Sequence, residues 1–229
     1  MSPGRSEAAS DKGIASEHGR ALEAVGGFFG PLAAQTSDEI AAVGWTKPAT
    51  PLRLFAAVSE LFAHETGAFS VYDVGCGLGA FADYLQERFP LASYSGCDLT
   101  AATIDRLKSH RPHLDVEVRD IVTSPPAQRD YVVAVGAFNH HHDLDPEIWW
   151  GVIKGVIRAM MAVARKGIAV TFLSSRVDFE GPNGRYQDPV AALQFALDEL
   201  SRTSEIRHGW YPYEFSLLAY HEPRPLTNA

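Results

Sequence analysis

Apolar residues along the chain occur in two alternating patterns. Short runs rich in β-branched and aromatic residues predict strands at "FSVYDV" (69–74), "ASYSGCD" (92–98), "LDVEVRD" (114–120), "DYVVAVGAF" (130–138) and "KGIAVTFLSS" (166–175). Segments with apolar residues at helical spacing separate most of these runs. This alternation predicts a parallel sheet with helices on both faces.

The two ends of the chain modify this pattern. The last β-type runs, "SEIRHG" (204–209) and "YEFSLLAYH" (213–221), are too close for a parallel crossover, so we expect an antiparallel pair. Before the first strand, the segment from Glu17 to Phe29 is weakly helical until "FFGPL" interrupts it, and "TPLRLFAAVSELFAHE" (50–65) is amphipathic. The sequence predicts an α/β fold: a doubly wound, seven-stranded, mostly parallel sheet with an antiparallel last strand, plus an N-terminal helical lid.

Composition excludes several classes of protein. The 229 residues carry a formal net charge of −8, and no basic cluster is longer than "ARK" (164–166), which argues against a nucleic-acid partner. No apolar run approaches the roughly 18 residues of a membrane span, and the N-terminus lacks a signal-peptide core. We expect a cytoplasmic protein with no membrane partner, in which Cys76 and Cys97 are reduced thiols.

The stretch "VYDVGCGLGAFADYL" (71–85) is the strongest motif. A strand that turns through alternate glycines into a helix is typical of loops that bind nucleotide-like ligands. Ala80 also satisfies the dinucleotide pattern G-x-G-x-x-G/A, so the glycines alone leave two ligands open. Asp73 favours S-adenosylmethionine, because a carboxylate here would repel a pyrophosphate and attract a sulfonium or an ammonium group.

Two further aspartates end the next two predicted strands. Asp98 is placed to accept hydrogen bonds from both ribose hydroxyls. Asp120 is placed to accept one from an adenine amino group, with Ile121 packing against the ring. Because ligands of such sheets bind at the carboxyl ends of the strands, the three aspartates together indicate an adenosine-containing ligand.

At this point "VYDVGCGLGAF", "SGCD", "VRDI" and "DYVVAVGAF" resemble the first four motifs of class I S-adenosylmethionine-dependent methyltransferases, over roughly residues 69–221. The resemblance implies that S-adenosylmethionine binds along the strand tips and leaves as S-adenosylhomocysteine. The glycines would contact its methionine part, Asp98 the ribose, and Asp120 with Ile121 the adenine. The cofactor set expected in the sheet is Asp73, Gly75, Cys76, Gly77, Gly79, Asp98, Leu99, Asp120, Ile121 and Gly136.

The N-terminal region also resembles a bacterial subgroup of small methyltransferases, at "AVGW" (42–45) and "LRLF" (52–55). In that subgroup the helical prelude covers the cofactor, which implies this role for Trp45 and Arg53. We divide the chain into four parts: a disordered tail (1–16), a helical N-terminal cap (17–67), an S-adenosylmethionine-binding methyltransferase domain (68–222) and a C-terminal tail (223–229).

The loop "GAFNHHHD" follows the fourth strand, where the methyl group should emerge. A histidine has an ordinary pKa near 6.5, which suits a general base. Consecutive side chains diverge, so we favour His140, with His141 as the substitute; the alternative is a solvated loop without a catalytic role. Adjacent imidazoles cannot easily converge on one ion, so no metal is expected. The residues expected to line the acceptor pocket are Asn139, Tyr186, His208, Tyr211 and Tyr213.

The sequence thus predicts a methyltransferase, monomeric or homodimeric, for a small or medium-sized acceptor, and family analogy suggests natural-product or glycan biosynthesis. The end of the fourth strand, "GAFN", lacks the (Asp/Asn)-Pro-Pro-(Tyr/Phe) box of enzymes that methylate DNA amino groups. The alternatives are an RNA or protein methyltransferase and a non-catalytic S-adenosylmethionine-binding regulator. A nicotinamide-dependent oxidoreductase is a further alternative, which Asp73 argues against.

Overall fold

The structure, a computed structural model, describes residues 4–45, 49–90 and 92–224. Its helices are α1 (Gly4–Gln35), α2 (Glu39–Ala42), α3 (Ala49–Ser59), α4 (Ala80–Arg88), α5 (Ala101–His110), α6 (Pro146–Val163) and α7 (Pro189–Glu199). Its strands are β1 (Phe69–Val74), β2 (Ala92–Asp98), β3 (Asp115–Val118), β4 (Arg129–Ala134), β5 (Ala164–Ser174), β6 (Tyr186–Gln187), β7 (Thr203–Arg207) and β8 (Glu214–Tyr220). No helix in the described part of the chain is both long and apolar enough to span a membrane.

The strands form one sheet in the order β3-β2-β1-β4-β5-β8-β7, with β6 paired beside the end of β5. Strands β1 to β5 run parallel, and β8 is antiparallel to both of its neighbours. The predicted α/β class, with seven principal strands and a reversed last strand, is confirmed. The two-residue strand β6 was not predicted, because two residues show no periodicity.

Each face of the sheet has its own apolar core, which follows from the alternation of side chains along the strands. One core lies against α6 and includes Ile153, Phe172 and Phe215. The other lies against α3 and α4 and includes Leu54 and Leu218. The strand ends are therefore held between two packed helical layers.

Helix α1 differs from the sequence expectation. It begins at Gly4 and continues through Pro31, where a disordered tail over 1–16 and a break at "FFGPL" were predicted. Pro31 removes one helical hydrogen bond, but tertiary contacts outweigh that loss. Arg106 on α5 donates to the carbonyls of Ala33 (2.9 Å), Thr36 and Ser37 (2.9 Å) at the helix end. Residues 1–3 and 225–229 lie outside the described residues, and the domain boundaries stay a prediction.

Capping aspartates begin the two helices that follow β4 and β6. Asp145 accepts hydrogen bonds from two backbone N–H groups of α6, and Asp188 accepts one from α7, with a proline next in each case. Thr100 precedes α5, but its side chain makes no cap hydrogen bond. Its hydroxyl donates to Asp98 instead, which ties the start of α5 to the carboxyl end of β2.

Candidate active site

A cavity lies at the carboxyl ends of β1 to β4, between the sheet and the N-terminal helices α1 and α2. It has about 1190 Å³ of empty space, a figure that includes open solvent at its mouth. Of the residues expected to contact the cofactor, all except Gly79 and Arg53 line this cavity. Those that line it are Trp45, Asp73, Gly75, Cys76, Gly77, Asp98, Leu99, Asp120, Ile121 and Gly136.

The glycine turn contains three residues with positive φ, Gly75, Gly77 and Gly79, where a side chain would be strained. Gly77 has φ +53°, and a Cβ added there would stand 2.9 Å from the side chain of Val43, which follows α2. The turn is fixed to β2, because the N–H groups of Gly75 and Cys76 both donate to the Cys97 carbonyl, at 2.8 and 2.9 Å. Gly79 (φ +83°) begins α4 and faces α5 rather than the cavity, so its expected contact with the cofactor is not supported.

Asp73 lies at the floor of the cavity and is 2% exposed. Its Oδ2 accepts a hydrogen bond from the Tyr94 hydroxyl at 3.0 Å. Its Oδ1 is buried and has no hydrogen-bond partner among the described residues. Burial, and secondarily the charge of Asp98, raises the pKa of Asp73 to about 7, although Tyr94 opposes this shift. A cationic group of a ligand would stabilise the ionised form of this carboxylate.

Asp98 is held in one orientation at the edge of the cavity. Its Oδ2 accepts from Gly77 N at 3.2 Å, and its Oδ1 accepts from the N–H and hydroxyl of Thr100 at 3.0 and 3.1 Å. Burial raises the pKa of Asp98, and these hydrogen bonds limit the shift. The carboxylate therefore links the glycine turn to the start of α5, where its remaining lone pairs can meet a ligand.

Asp120 is already engaged by the lid. Its Oδ2 lies 2.9 Å from His18 Nε2 on α1, and the Thr123 hydroxyl and Val122 N–H also donate to the carboxylate. Burial opposes its ionisation, but these hydrogen bonds prevail, so its pKa lies below the usual value. His18, which also lines the cavity, was not predicted, because it is 102 residues from its partner and in a weakly patterned segment.

Trp45 packs over Gly136 at the end of β4, and its contact with the cofactor stays a prediction. Gly136 has φ +70°, and a Cβ there would stand 3.2 Å from Trp45 Nε1. Its N–H donates to Thr171 Oγ1 on β5 at 2.8 Å. Arg53 does not share this location. Its Nη2 is 4.0 Å from Glu214 Oε2, and its guanidinium stacks 4.1 Å from the centre of the Tyr211 ring, outside the cofactor cavity.

The histidines after β4 point in different directions. His140 packs against Phe28 and Phe29 of α1, with ring centres 4.9 and 5.5 Å apart. Burial, helped by the neighbouring His141, lowers the pKa of His140, and its Nδ1 has no partner among the described residues. His141 instead contacts the Pro182 carbonyl through Nε2 at 2.8 Å and accepts from a backbone N–H through Nδ1, which ties it to the loop. Neither His140 nor His141 lines the cavity, so the role of either residue as a base stays a prediction.

His142 belongs to the same run of histidines but was not chosen as a candidate base from the sequence. Burial lowers its pKa to about 4, and neither ring nitrogen has a hydrogen-bond partner among the described residues. Its ring packs edge-on against Trp149, which lines the cavity. No group of three metal-ligating side chains is found in the described ranges of the chain.

Three of the expected acceptor residues hold loops in place. Asn139 Oδ1 accepts from the Leu173 N–H at 3.2 Å. The Tyr186 hydroxyl accepts from the Gly181 N–H at 2.7 Å. His208 packs against a ring at the start of β8 and lies 3.3 Å from a backbone carbonyl. These contacts explain their positions without an acceptor.

Tyr211 and Tyr213, in contrast, contact each other beside the Arg53–Glu214 pair, with ring centres 5.3 Å apart. Glu214 is 4% exposed, and burial raises its pKa to about 7 against the opposing charge of Arg53. Glu214 was not predicted from the sequence, because the candidate residues were taken from the carboxyl ends of strands. Because β8 is reversed, its first residue is the one that reaches this edge of the sheet.

Comparison with known proteins agrees with this architecture. Residues 72–163 match the family described as a methyltransferase domain. A Mycobacterium tuberculosis protein named as a methyltransferase is 30% identical over 158 residues, which cover 66% of this chain and 92% of the relative.

Two solved structures show the same fold at low sequence identity. An amino pentose methyltransferase from Micromonospora echinaspora, bound to S-adenosylmethionine, has a TM-score of 0.59 at 14% identity and covers 77% of this chain and 92% of its own. Magnesium protoporphyrin IX methyltransferase from Synechocystis, bound to S-adenosylhomocysteine, has a TM-score of 0.57 at 15% identity, with 75% and 83% covered. By its motifs, its fold and its relative, the chain belongs to the class I S-adenosylmethionine-dependent methyltransferases.

Proposed function

We propose that this methyltransferase binds S-adenosylmethionine in the cavity at the ends of β1 to β4 and methylates a small or medium-sized acceptor. The observation that carries the proposal is that one cavity brings together three strand-end aspartates and a glycine turn. A buried, unpartnered oxygen of Asp73 and a turn that a Cβ would fill both suit a cationic ligand in close contact with the backbone. When bound, the cofactor supplies a methyl group on a positively charged sulfur.

Each part of the cofactor has a candidate partner in the chain. Asp73 would stabilise its cationic end, with the backbone of Gly75 and Gly77 against the methionine part. Asp98 would accept from the ribose hydroxyls, and Asp120 with Ile121 would hold the adenine. His18 would then share Asp120 with the adenine or leave it.

The chain's main contribution to methyl transfer is orientation, for which about 7–11 kcal/mol is available. Helices α1 and α2 and Trp45 exclude water from the ends of β1 and β4. We propose that neutral His140 accepts the proton that the acceptor must lose, which typically adds about 10²–10⁴-fold in rate. Its lowered pKa supports this role, since the ring is unprotonated at neutral pH.

A small acceptor is supported by the neighbours in structure, whose names specify an amino pentose and a magnesium porphyrin. The formal net charge of −8 favours such an acceptor over RNA. The free thiols of Cys76 and Cys97 support the cytoplasm as the compartment. We infer a biosynthetic role from the same neighbours.

The cofactor assignment is tested by thermal shift with S-adenosylmethionine, S-adenosylhomocysteine and NAD. We expect stabilisation by the first two and none by NAD; stabilisation by NAD alone would refute the assignment. Methyl-labelled cofactor incubated with small-molecule, RNA and protein fractions then tests the acceptor class. Label transferred only to RNA or protein would contradict a small acceptor, and binding without transfer to any fraction would indicate the non-catalytic alternative.

A further inference from the structure

A group of buried polar atoms without partners lies between α3 and β8, beside the cofactor cavity. Glu214 Oε2 has no hydrogen-bond partner among the described residues, and Arg53 Nη2 at 4.0 Å is too distant to be one. Arg53 Nε and Ser216 Oγ are also buried without a partner in this part of the chain. Unsatisfied buried polar groups are costly and rare in folded proteins, so three in one place indicate a site for a polar ligand.

The register of the sheet places this group one strand away from the end of β4, which borders the cavity. Glu214 and Ser216 are two residues apart on β8, so they share the face of the sheet that packs against α3. Ser216 lies opposite Thr171 on β5. Thr171 Oγ1 accepts from the N–H of Gly136, which lines the cofactor cavity at the end of β4. The polar group is therefore one strand away from that cavity.

Aromatic rings and a groove surround the polar group. The guanidinium of Arg53 stacks on Tyr211, which in turn packs against Trp210. On its outer side Arg53 lines an open groove between α3 and the hairpin that joins β7 to β8. Its side chain is about a third exposed, whereas Glu214 is almost fully buried. The arginine thus lies between the groove and the carboxylate.

The hydrogen-bonding needs of the three atoms identify the ligand group. Above about pH 7, where Glu214 is ionised, its Oε2 needs a donor. Arg53 Nε needs an acceptor, and Ser216 Oγ can serve as either. A hydroxyl group both donates and accepts. An ammonium group only donates and would add a second cation beside Arg53, and a carboxylate only accepts and would be repelled by Glu214.

We propose that Arg53, Glu214 and Ser216 form an acceptor subsite that binds a hydroxyl group of the methyl acceptor other than the atom that is methylated, so that the acceptor is an alcohol or a phenol. This inference rests on the proposed function and specifies its substrate class. The aromatic neighbours favour a ligand with a flat or apolar body beside its hydroxyl group.

Three probes of the same shape test the subsite: benzyl alcohol, benzylamine and benzoate. Their dissociation constants would be measured by ligand-observed NMR on the full chain saturated with S-adenosylhomocysteine. We expect benzyl alcohol to bind most tightly, and Glu214→Gln, which keeps the shape but removes the charge, to weaken its binding at least tenfold. Ser216→Ala, which leaves the charged pair in place, should weaken it about fivefold. The matched control, Glu205→Gln on neighbouring β7, should leave it unchanged.

Tighter binding of benzylamine or benzoate, no binding of any probe, or equal binding by the Glu214 variant would overturn the proposal. Calorimetry with S-adenosylhomocysteine shows whether the subsite alone or the proposed cofactor site has failed. If the unmodified protein binds that compound and the probes fail, only the subsite is refuted. If the unmodified protein does not bind it, the proposed cofactor site is refuted instead.

Discussion

The raised pKa of Asp73 predicts that cofactor binding depends on pH. Below about pH 7 this buried carboxyl is neutral in the free protein and cannot attract a cationic group. A ligand that needs the carboxylate must therefore release the proton, and its affinity falls as pH falls. We consider a change of pH from about 7.5 to about 5.5. If binding moves the pKa of Asp73 below about 5.5, this change weakens binding about 25-fold.

Calorimetry with S-adenosylhomocysteine measures this effect, because the product binds without reacting. Titrations in two buffers with different ionisation enthalpies would also count the proton released at the acidic pH. In Asp73→Asn the side chain cannot titrate, so we expect weaker binding without this pH dependence. Asp105→Asn, at an exposed position on α5, is the matched control and should behave like the unmodified protein.

An independent measurement concerns stability. Because the folded-state pKa of Asp73 is raised above its unfolded value, its cost to stability appears as pH rises from about 4 to about 7 and is complete above that range. The shift corresponds to at most about 4 kcal/mol. Relative to the unmodified protein, Asp73→Asn should thus have a higher free energy of unfolding at about pH 8 than it has near pH 4. The measured quantity is the difference between the two proteins at each pH. An affinity independent of pH in the unmodified protein, or the same pH dependence in the variant, would refute the reasoning.

Three other substitutions test separate parts of the structure. Asp98→Ala should weaken S-adenosylhomocysteine binding at least tenfold in calorimetry, because the ribose hydroxyls lose their acceptor; an unchanged affinity would contradict the assignment. His140→Ala should lower kcat with the identified acceptor while cofactor affinity is kept, whereas His141→Ala should change neither; equal loss of both quantities in His140→Ala would make that residue structural. Asp145→Ala removes the cap of α6 and should cost about 1 kcal/mol in urea unfolding; a cost no larger than that of the exposed Asp178→Ala would disprove the role of the cap.

Local patterns account for most of the fold. The bounds of β1 and β2 coincide with those read from the sequence, because apolar runs and flanking polar residues define both strands. The predicted fourth strand (130–138) is too long, since β4 ends at Ala134 and the positive φ of Gly136 turns the chain over the cavity. The long helix α1 was hidden by its weak pattern and its proline, and contacts with α5 determine its end.

The aspartates that line the cavity follow one topological rule, so Asp73, Asp98 and Asp120 could be found from the sequence. Their partners could not. Tyr94 meets Asp73 across neighbouring strands, and His18 meets Asp120 through a lid helix, so neither contact produces a local sequence signal. Arg53 was placed at the cofactor by the resemblance of "LRLF" to a methyltransferase subgroup, and such a resemblance does not determine which neighbour a long side chain contacts.

Because β8 is reversed, the polar group around Glu214 is carried by elements other than those that carry the aspartates of the cavity. The two groups can therefore change independently. Strands β1 and β2 and the turn after β3 carry the aspartates of the cavity, whereas α3 and β8 carry the polar group around Glu214. The hairpin 208–213 borders that group through Tyr211. Hairpin connections tolerate changes of length and sequence better than buried strands do. Variation in this one connection could therefore diversify the substrates of related proteins without altering the register of the cofactor half. A chimera with a foreign hairpin over 208–213 should retain its affinity for S-adenosylhomocysteine.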